Sequence, residues 1–331
     1  MARLFGTDGV RGIANVELTC EMAYRLGQAA AIYLGKTIVV GRDTRRSGDM
    51  LGAALSAGIM SAGGTVLEAG IIPTPGVALL VREMRAAGGA VISASHNPPE
   101  YNGIKFFDAQ GFKLPDAVED EIEAFIVNGG LEGEVAAAEE AAWSAAQAAA
   151  PDAPADATSY LASEIKMPAG AEVGVVIPLE NACDIYIDHA ARSIEEQGIS
   201  FKGLRIALDT GHGASSLTSP EALRRLGAEV SVINDDFDGM DINVRCGSTH
   251  LEPLRALMAE TGADVGIAHD GDADRHHHHA VHKAEHKTVG GSYLGLFAVA
   301  RAQIQRDHGV DADAKADGNG VGKVLDGEHQ T

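Results

Sequence analysis

The sequence has few cysteines, and they are far apart. Only three of its 331 residues are cysteine (Cys20, Cys183 and Cys246), and no two of them form a Cys-x-x-Cys pair. Disulfide-stabilised small domains and cysteine-type zinc sites depend on closely spaced cysteines. We therefore expect neither of these, and we expect a reducing compartment, the cytoplasm.

Long apolar runs are also missing. No stretch of 18 apolar residues occurs, and the N-terminal residues show no apolar region after a basic start. The first absence argues against a transmembrane helix, and the second predicts that there is no signal peptide. We therefore predict that the protein has no membrane partner.

Basic residues are outnumbered. Lysine and arginine total 26 against 47 aspartates and glutamates, a formal net charge of −21. A field of that sign repels nucleic acid and anionic membranes, so we expect neither as a partner. It also repels a phosphorylated substrate. Any phosphate site must therefore bring its own local positive charge or a metal ion.

The residues that are present favour an α/β fold. Aromatic residues make up only 5% of the chain, whereas glycine and alanine are abundant. Two series of strand-like runs alternate with helix-like segments: 37–40, 65–67 and 89–93, and later 204–208, 229–233 and 264–268. This alternation predicts two units, each a mixed, mostly parallel sheet with helices on both faces.

A stretch rich in alanine, glutamate and proline separates the two series. Residues 131–157 have this composition, which predicts an inter-domain connector with a surface helix in part of it. We place a first domain at residues 1–160 and a second at 161–290. Residues 292–305 have the spacing of one amphipathic helix, whereas no convincing period is found from residue 309 to residue 331. We expect residues 291–331 to be a disordered tail or the remnant of a further domain.

A serine loop follows the last strand-like run of the first series. Ser95 and His96 lie in the loop at the C-terminal end of an apolar strand, and Asn97-Pro98 forces a turn. Open α/β sheets place their ligands at this end of the strands. Ser95 is therefore a candidate reactive group, with His96 as its proton shuttle or orienting group. Taken alone, the loop fits an ordinary strand-to-loop turn equally well.

An aspartate loop follows the last strand-like run of the second series. Asp270, Asp272 and Asp274 stand at alternate positions, spaced by small residues, and can surround one hard cation such as Mg²⁺ or Ca²⁺. An EF-hand loop needs glycine at its sixth position and glutamate at its twelfth, but Arg275 and Val281 stand there. A structural acidic turn is the alternative, although three clustered carboxylates are costly without a cation.

The serine loop and the aspartate loop fit one common function. A phosphoserine is close to a dianion at neutral pH, so three aspartates alone would repel it. A divalent ion between them satisfies both and polarises the phosphoryl group for transfer. Basic residues in glycine-rich or turn-like segments would serve the same end, and the candidates are Arg11, Arg42, Arg45, Arg46 and Lys105.

Four consecutive histidines, His276–His279, suggest a zinc site at first sight. Four neighbouring side chains cannot all face one ion on regular structure, and no cysteine lies near them. We therefore predict a solvated loop with incidental affinity for Ni²⁺ or Zn²⁺.

Together these motifs resemble those of the α-D-phosphohexomutases. The serine loop with Asn102-Gly103-Ile104-Lys105 and the loop Asp270–Arg275 look like the phosphoserine and metal loops of that family. The resemblance covers about residues 1–275 and is closest to the branch that acts on glucosamine phosphates. Other segments that carry it are Phe5–Gly12, Gly41–Gly48, Ile72–Pro75 and Cys246–His250.

The resemblance implies tandem α-D-phosphohexomutase-type domains and a role for each matching residue. Ser95 would be phosphorylated and would complete the ligands of one Mg²⁺ held by the three aspartates. Arg11 would lie beside the phosphoserine, and His96 and Lys105 would assist proton transfer. Contacts with the substrate or its phosphate would come from Arg275, Asn97 and Arg42.

The activity implied is the conversion of glucosamine 6-phosphate to glucosamine 1-phosphate, for UDP-N-acetylglucosamine and cell-wall synthesis. The substrate would be a phosphosugar, and the reaction would pass through a bisphosphorylated sugar, with a hexose 1,6-bisphosphate as activator. Action on glucose or mannose phosphates is the alternative, because the loop that selects the sugar is not found. The sequence is silent on the oligomeric state.

The chain departs from the family pattern after Arg275. We find no Glu-x-Ser-Gly-His loop, which the third domain would supply, and no Arg-x-Ser-Gly-Thr-Glu loop from the fourth. Residues 291–331 would then be a remnant of the third domain, with the fourth absent. Binding energy from the remote phosphate normally supports catalysis at the reacting end. We therefore predict severely reduced mutase activity, or an inactive metal-binding remnant, if these residues are the whole protein.

Overall fold

The computed structural model describes residues 4–6, 9–149, 167–280 and 287–290. The strands are β1 (Val10–Ile13), β2 (Thr37–Arg42), β3 (Thr65–Ile71), β4 (Gly88–Ile92), β5 (Tyr101–Phe107), β6 (Val176–Pro178), β7 (Arg205–Asp209), β8 (Glu229–Ile233), β9 (Val265–His269), β10 (Arg275–Ala280) and β11 (Lys287–Gly290). The helices are α1 (Cys20–Ala29), α2 (Ser47–Ser61), α3 (Thr74–Glu83), α4 (Asp116–Val127), α5 (Gly130–Ala149), α6 (Ala182–Glu195), α7 (Ser219–Arg225) and α8 (Glu252–Thr261).

These strands form two mixed sheets. The first has the order β1-β5-β4-β2-β3-β6, with β4, β2, β3 and β6 parallel and β1 and β5 antiparallel to their neighbours. The second has the order β11-β10-β9-β7-β8, with β9, β7 and β8 parallel and β10 and β11 antiparallel. We call the two sheets with their helices the first and second units. The predicted α/β fold is confirmed.

Each sheet buries both of its faces. In β2, Ile38 and Val40 pack with α1, α2 and α4, whereas Val39 between them packs with α3 and α6 on the opposite face. In β7, Ile206 packs towards α6 and α7, and Ala207 packs towards α8. Successive side chains of a strand point to opposite faces, so a strand that is apolar throughout needs helices on both sides. The predicted three-layer arrangement is confirmed.

Helix α6 belongs to both hydrophobic cores. Its first turns contribute Ala182 and Tyr186 to the core of the first unit, and its last turns contribute Ala191 and Ile194 to the core of the second. Hydrophobic contacts on both sides therefore fix this helix between the two units, which helps to set their relative position.

Some local predictions need correction. The predicted solvated loop at His276–His279 is wrong, because these residues form most of β10, which pairs with β9. Arg11, Arg42 and Lys105 lie in strands β1, β2 and β5 rather than in turn-like segments. In each case backbone pairing with a neighbouring strand decides the structure, and local composition does not report that pairing.

The domain boundary predicted between residues 160 and 161 lies outside the described residues. Strand β6 follows it in sequence yet pairs with β3, so the first sheet includes a strand from beyond that point. The tail predicted for residues 291–331 also lies outside the described part. Among the helices that the structure describes, none has the length and apolar character needed to cross a membrane.

Candidate active site

The serine loop and the aspartate loop meet in the structure. Ser95 follows β4, is 1% exposed, and has a left-handed backbone with φ of 53°. Its hydroxyl donates a hydrogen bond of 2.6 Å to Oδ2 of Asp270. His96 Nδ1 lies 3.5 Å from the same hydroxyl oxygen, while the residue itself is exposed. The structure therefore brings together the two loops that the sequence separates by 175 residues.

A fully buried arginine holds the serine loop. The Arg45 guanidinium donates to the carbonyl oxygens of Ser95 (3.0 Å), Asn97 (2.8 Å) and Pro98. Its Nε donates to Oδ2 of Asp43 at 3.0 Å, and both side chains are 0% exposed. Charge-assisted hydrogen bonds of this kind are among the stronger ones, and a planar guanidinium can serve several acceptors at once. Arg45 therefore holds the backbone of the serine loop in place through hydrogen bonds.

Asp43 connects that arginine to the serine through a second route. Its Oδ2 accepts a hydrogen bond of 2.7 Å from the Ser93 hydroxyl, whose oxygen accepts one of 2.9 Å from the Ser95 backbone N–H. Burial raises the pKa of the Asp43 carboxyl, and the Arg45 guanidinium and the Ser93 hydroxyl oppose this rise. The carboxylate is thus stabilised only by its partners, as expected for a buried charge.

The aspartate loop places three carboxylates around one point. Asp270 is 0% exposed and Asp272 is 1% exposed, and one oxygen from each of Asp270, Asp272 and Asp274 lies within 4.8 Å of the others. Thr74 at the start of α3 donates its hydroxyl to Oδ2 of Asp272 at 2.6 Å and its backbone N–H to the Asp272 carbonyl at 2.9 Å. Residues of the first unit therefore position the loop of the second.

The donor set fits a hard divalent cation. Oxygen ligands from clustered carboxylates are those that Mg²⁺ and Ca²⁺ prefer. Oδ1 of Asp272 is buried and has no hydrogen-bond partner among the described residues, although buried carboxylate oxygens are normally satisfied. Lys105 is one nearby cation, with Nζ 3.6 Å from Oδ2 of Asp274. A cation held by the three carboxylates would satisfy both their charge and that oxygen.

Two of the predicted basic residues come from neighbouring strands of the first sheet. Arg11 in β1 lies opposite Gly103 in β5, two residues before Lys105. Lys105 reaches the aspartate loop, as described above, and its side chain is 13% exposed. Arg11 is half-buried. The antiparallel pairing of β1 with β5 therefore places the strand that carries Arg11 beside the strand that carries Lys105.

The other predicted site residues are placed differently. The guanidinium of Arg42 pairs with Asp49 of α2 at 2.6 Å, and Asn97 contributes its carbonyl oxygen as an acceptor for Arg45. Arg46 donates its backbone N–H to the Gly239 carbonyl of the second unit. Arg275 begins β10, opposite Gly290. The contacts of Arg42 therefore lie with α2 rather than with Ser95.

Sequence reasoning missed several residues of the site. Asp43 and Thr74 were not singled out, although each lies in a segment that carried the family resemblance. Asp43 sits at the carboxyl end of β2, where a buried polar residue is itself a signal. The bond between Thr74 and Asp272 spans 198 residues and leaves no local pattern.

Comparisons with known proteins show the family of this chain. Residues 2–132 match the family described as "Phosphoglucomutase/phosphomannomutase, alpha/beta/alpha domain I", and residues 184–279 match domain II of the same family. Both matched regions are described as alpha/beta/alpha, which is the layer arrangement of the two units. It belongs to the α-D-phosphohexomutase family, as the motifs predicted.

Two similar curated relatives within the family are both named phosphoglucosamine mutase. A phosphoglucosamine mutase of Alkaliphilus metalliredigens is 46% identical over 281 residues, which are 83% of this chain and 55% of the relative. That of Carboxydothermus hydrogenoformans is 48% identical with the same coverage. This chain thus spans about half the length of the curated relatives that it matches.

Solved structures of the family share the fold. A phosphoglucomutase/phosphomannomutase family protein from Burkholderia thailandensis aligns with a TM-score of 0.65 at 23% identity, covering 92% of this chain and 59% of the other. An Aspergillus fumigatus N-acetylphosphoglucosamine mutase in complex with glucose 1,6-bisphosphate aligns with a TM-score of 0.50 at 15% identity, covering 93% and 56%.

Proposed function

We propose that this chain carries the phosphoryl-transfer half of a phosphoglucosamine mutase. The enzyme would interconvert glucosamine 6-phosphate and glucosamine 1-phosphate through a phosphorylated Ser95 and a bisphosphorylated sugar. The relatives named above, at 46% and 48% identity, support this choice within the family. One observation carries the chemistry: the Ser95 hydroxyl is buried 2.6 Å from Asp270, one of three clustered carboxylates.

Asp270, Asp272 and Asp274 would hold one Mg²⁺, with an oxygen on Ser95 completing the set. A bound Mg²⁺ would neutralise the charge that develops on the phosphoryl group. The burial of Ser95, Asp270 and Asp272 serves the same reaction, because it excludes water that would hydrolyse a phosphoserine.

The residues of the chain can handle both bonds of the transfer. Oγ of Ser95 attacks the phosphorus of a bisphosphorylated sugar, so that an Oγ–P bond forms and the bond between phosphorus and the sugar oxygen breaks. The hydroxyl proton leaves towards His96, whose Nδ1 lies 3.5 Å from Oγ, while Asp270, as a ligand of the metal, would keep its negative charge and orient the hydroxyl through Oδ2. The sugar oxygen takes a proton from Lys105 or His96. The reverse sequence delivers the phosphoryl group to the other end of the sugar.

Positive charge near the reacting atoms would also attract the phosphosugar. The chain as a whole is strongly acidic, with a net charge of −21, and would repel a phosphosugar. Lys105 and Arg11, on adjacent strands beside the site, would offset that field locally. Asn97 and Arg275 stay candidates for contact with the substrate, and the Asp49 pairing of Arg42 argues against that role for Arg42.

The same proposal implies a substrate, an activator and a cellular compartment. The partner would be a phosphosugar, with a hexose 1,6-bisphosphate as the activator that first phosphorylates Ser95, and the enzyme would work in the cytoplasm. Because the chain spans about half of its relatives, residues from their remaining half would hold the far phosphate and select the sugar.

Intact-mass measurement tests the chemistry. The protein is incubated with Mg²⁺ and glucose 1,6-bisphosphate, and we expect a mass increase of one phosphate. Ser95→Ala should show none, while the matched control Ser200→Ala, at an exposed serine of the second unit, should label like the wild type. Absence of labelling in the wild type would contradict the proposal.

A discharge assay then tests the acceptor. Glucosamine 6-phosphate, glucose 6-phosphate and mannose 6-phosphate are compared as acceptors of the phosphate on labelled protein. We expect each of them to discharge the phosphoserine with little preference among the sugars, because the residues that would select the sugar belong to the part of the relatives that this chain does not match. Discharge by none of the three would contradict a phosphosugar substrate.

A further inference from the structure

The backbone of Ser95 is held in an unfavourable conformation. Its φ of 53° lies in the left-handed region, which side-chain-bearing residues adopt only when their surroundings hold them there. Ser95 lies three residues after the end of β4, and in this conformation its hydroxyl donates to Asp270. The contacts that hold the backbone of Ser95 therefore also aim its hydroxyl.

Those contacts come from both units. From the first unit, Arg45 donates to the carbonyl oxygens of Ser95 and Asn97. From the second unit, Nδ2 of Asn243 donates to the same two oxygens, at 2.9 Å to Ser95 and 3.3 Å to Asn97. Two side chains from loops of different units thus share the same pair of acceptors.

Asn243 is itself well fixed for this task. Its backbone N–H donates to the Gly211 carbonyl at 3.0 Å, and its φ of 61° is a conformation that asparagine tolerates better than most residues. Gly271 of the aspartate loop leaves the space for its amide. A Cβ at Gly271 would lie 2.7 Å from the Ser95 carbonyl oxygen and 2.9 Å from Asn243 Nδ2.

We infer that Asn243 is a positioning residue that makes the attack geometry of Ser95 depend on the second unit. The inference rests on the proposed function for its catalytic consequence. Asn243 touches neither the reacting oxygen nor the carboxylates in the described contacts, so it would act through the loop backbone. Loss of its amide would leave Arg45 holding the loop from one side, and the Ser95 hydroxyl would be aimed less accurately.

Asn243→Gly is the variant that tests this role. Glycine accepts the left-handed backbone, so the substitution removes the amide donor without adding strain. Asn15→Gly is the matched control, because Asn15 has a φ of 64° and is exposed in the first unit. The rate of Ser95 phosphorylation is measured by intact mass over a range of glucose 1,6-bisphosphate concentrations with Mg²⁺.

We expect the saturating rate of Asn243→Gly to fall by about 10- to 100-fold, since small misplacements of a reacting group have effects of that order. The concentration of bisphosphate at half-saturation should stay unchanged, which a general loss of structure would not produce. Asn15→Gly should match the wild type. A saturating rate in Asn243→Gly equal to that of the control would overturn the inference.

Hydrogen exchange separates this inference from the proposed function. Peptides covering residues 93–98 should exchange their amide hydrogens faster in Asn243→Gly than in Asn15→Gly or the wild type. If the wild type takes up no phosphate, the proposed function fails, and exchange alone decides whether Asn243 holds the loop. Unchanged exchange over 93–98 would then overturn the positioning role.

Discussion

The serine loop and the aspartate loop differ in how their polar groups are satisfied. In the serine loop the protein supplies the partners: Arg45 and Asn243 donate to its carbonyl oxygens, and Ser93 accepts from its N–H. In the aspartate loop three carboxylates gather, and Oδ1 of Asp272 has no hydrogen-bond partner in the described part of the chain.

This difference indicates what each loop requires. The geometry of the serine loop is built into the protein, so it should persist whether or not a ligand is present. The aspartate loop concentrates like charges at short range, which costs free energy until a cation offsets them. The same site thus combines a loop that stabilises itself with a loop that depends on a metal, and variants of each should respond differently to metal.

The largest effect on stability is expected at Arg45. Arg45→Met leaves the Asp43 carboxyl buried without its cation, and breaking a buried pair in this way costs about 3–5 kcal/mol. Urea unfolding measures the loss, which should be the same in Mg²⁺ and in EDTA. Arg205→Met is the control, because that arginine pairs with Asp264 at the surface, and it should change stability little. Equal losses at the two sites would contradict this comparison.

A smaller effect that changes sign is expected at Asp272. Asp272→Asn removes one of three clustered charges and keeps an oxygen that can accept from Thr74. In EDTA the variant should therefore be more stable than the wild type, by on the order of 1 kcal/mol. When the Mg²⁺ concentration is about 100-fold above the dissociation constant of Mg²⁺ from the wild type, binding adds about 2.7 kcal/mol to the free energy of unfolding of the wild type. The wild type should then be the more stable protein.

Thermal unfolding in the two buffers gives both values for Asp272→Asn. Asp49→Asn serves as the control, since Asp49 lies on α2 and pairs with Arg42 rather than with the triad. The ranking of this control against the wild type should not depend on Mg²⁺. A wild type that gains no stability from Mg²⁺ would show that the aspartate loop is a structural turn.

A third effect on stability concerns pH and Cys246. Burial, with Asp209 and Asp241 adding to it, raises the pKa of this thiol to about 12. A thiol with a raised pKa in the folded state contributes stability below its unfolded pKa, about 8.5, and that contribution is lost as the pH rises towards 12. Between about pH 8 and about pH 10 the wild type should lose about 1–2 kcal/mol more than Cys246→Ala. Parallel urea-unfolding free energies for the two proteins would contradict this.

The parts of the fold that the sequence could predict are the buried parallel strands. Strands such as β2 and β9 are apolar on both faces, which produces runs that stand out locally. Strands β1 and β5 were missed because they pair antiparallel beside the parallel strands and include Arg11, Asn102 and Lys105. Their strand structure is set by neighbours distant in the sequence.

The candidate site also has a part that the sequence could predict and a part that it could not. Ser95 and the three aspartates were predicted because each loop follows an apolar strand and carries a recognisable group of side chains. The roles of Asp43 and Asn243 were not, because both depend on contacts formed only when the chain folds. Arg45 was predicted as a cation near phosphate, yet its guanidinium N–H groups donate to backbone carbonyl oxygens.

The dependence of Ser95 labelling on Mg²⁺ tests most directly whether the two loops form one phosphoryl-transfer site. Phosphate uptake from glucose 1,6-bisphosphate is followed by mass over a Mg²⁺ titration, and the labelled residue is located by peptide mapping. If the loops act together, uptake at Ser95 rises with Mg²⁺ to saturation in the wild type and is lost in EDTA and in Asp272→Asn. Equal uptake in EDTA, or phosphate on another residue, would contradict a joint site.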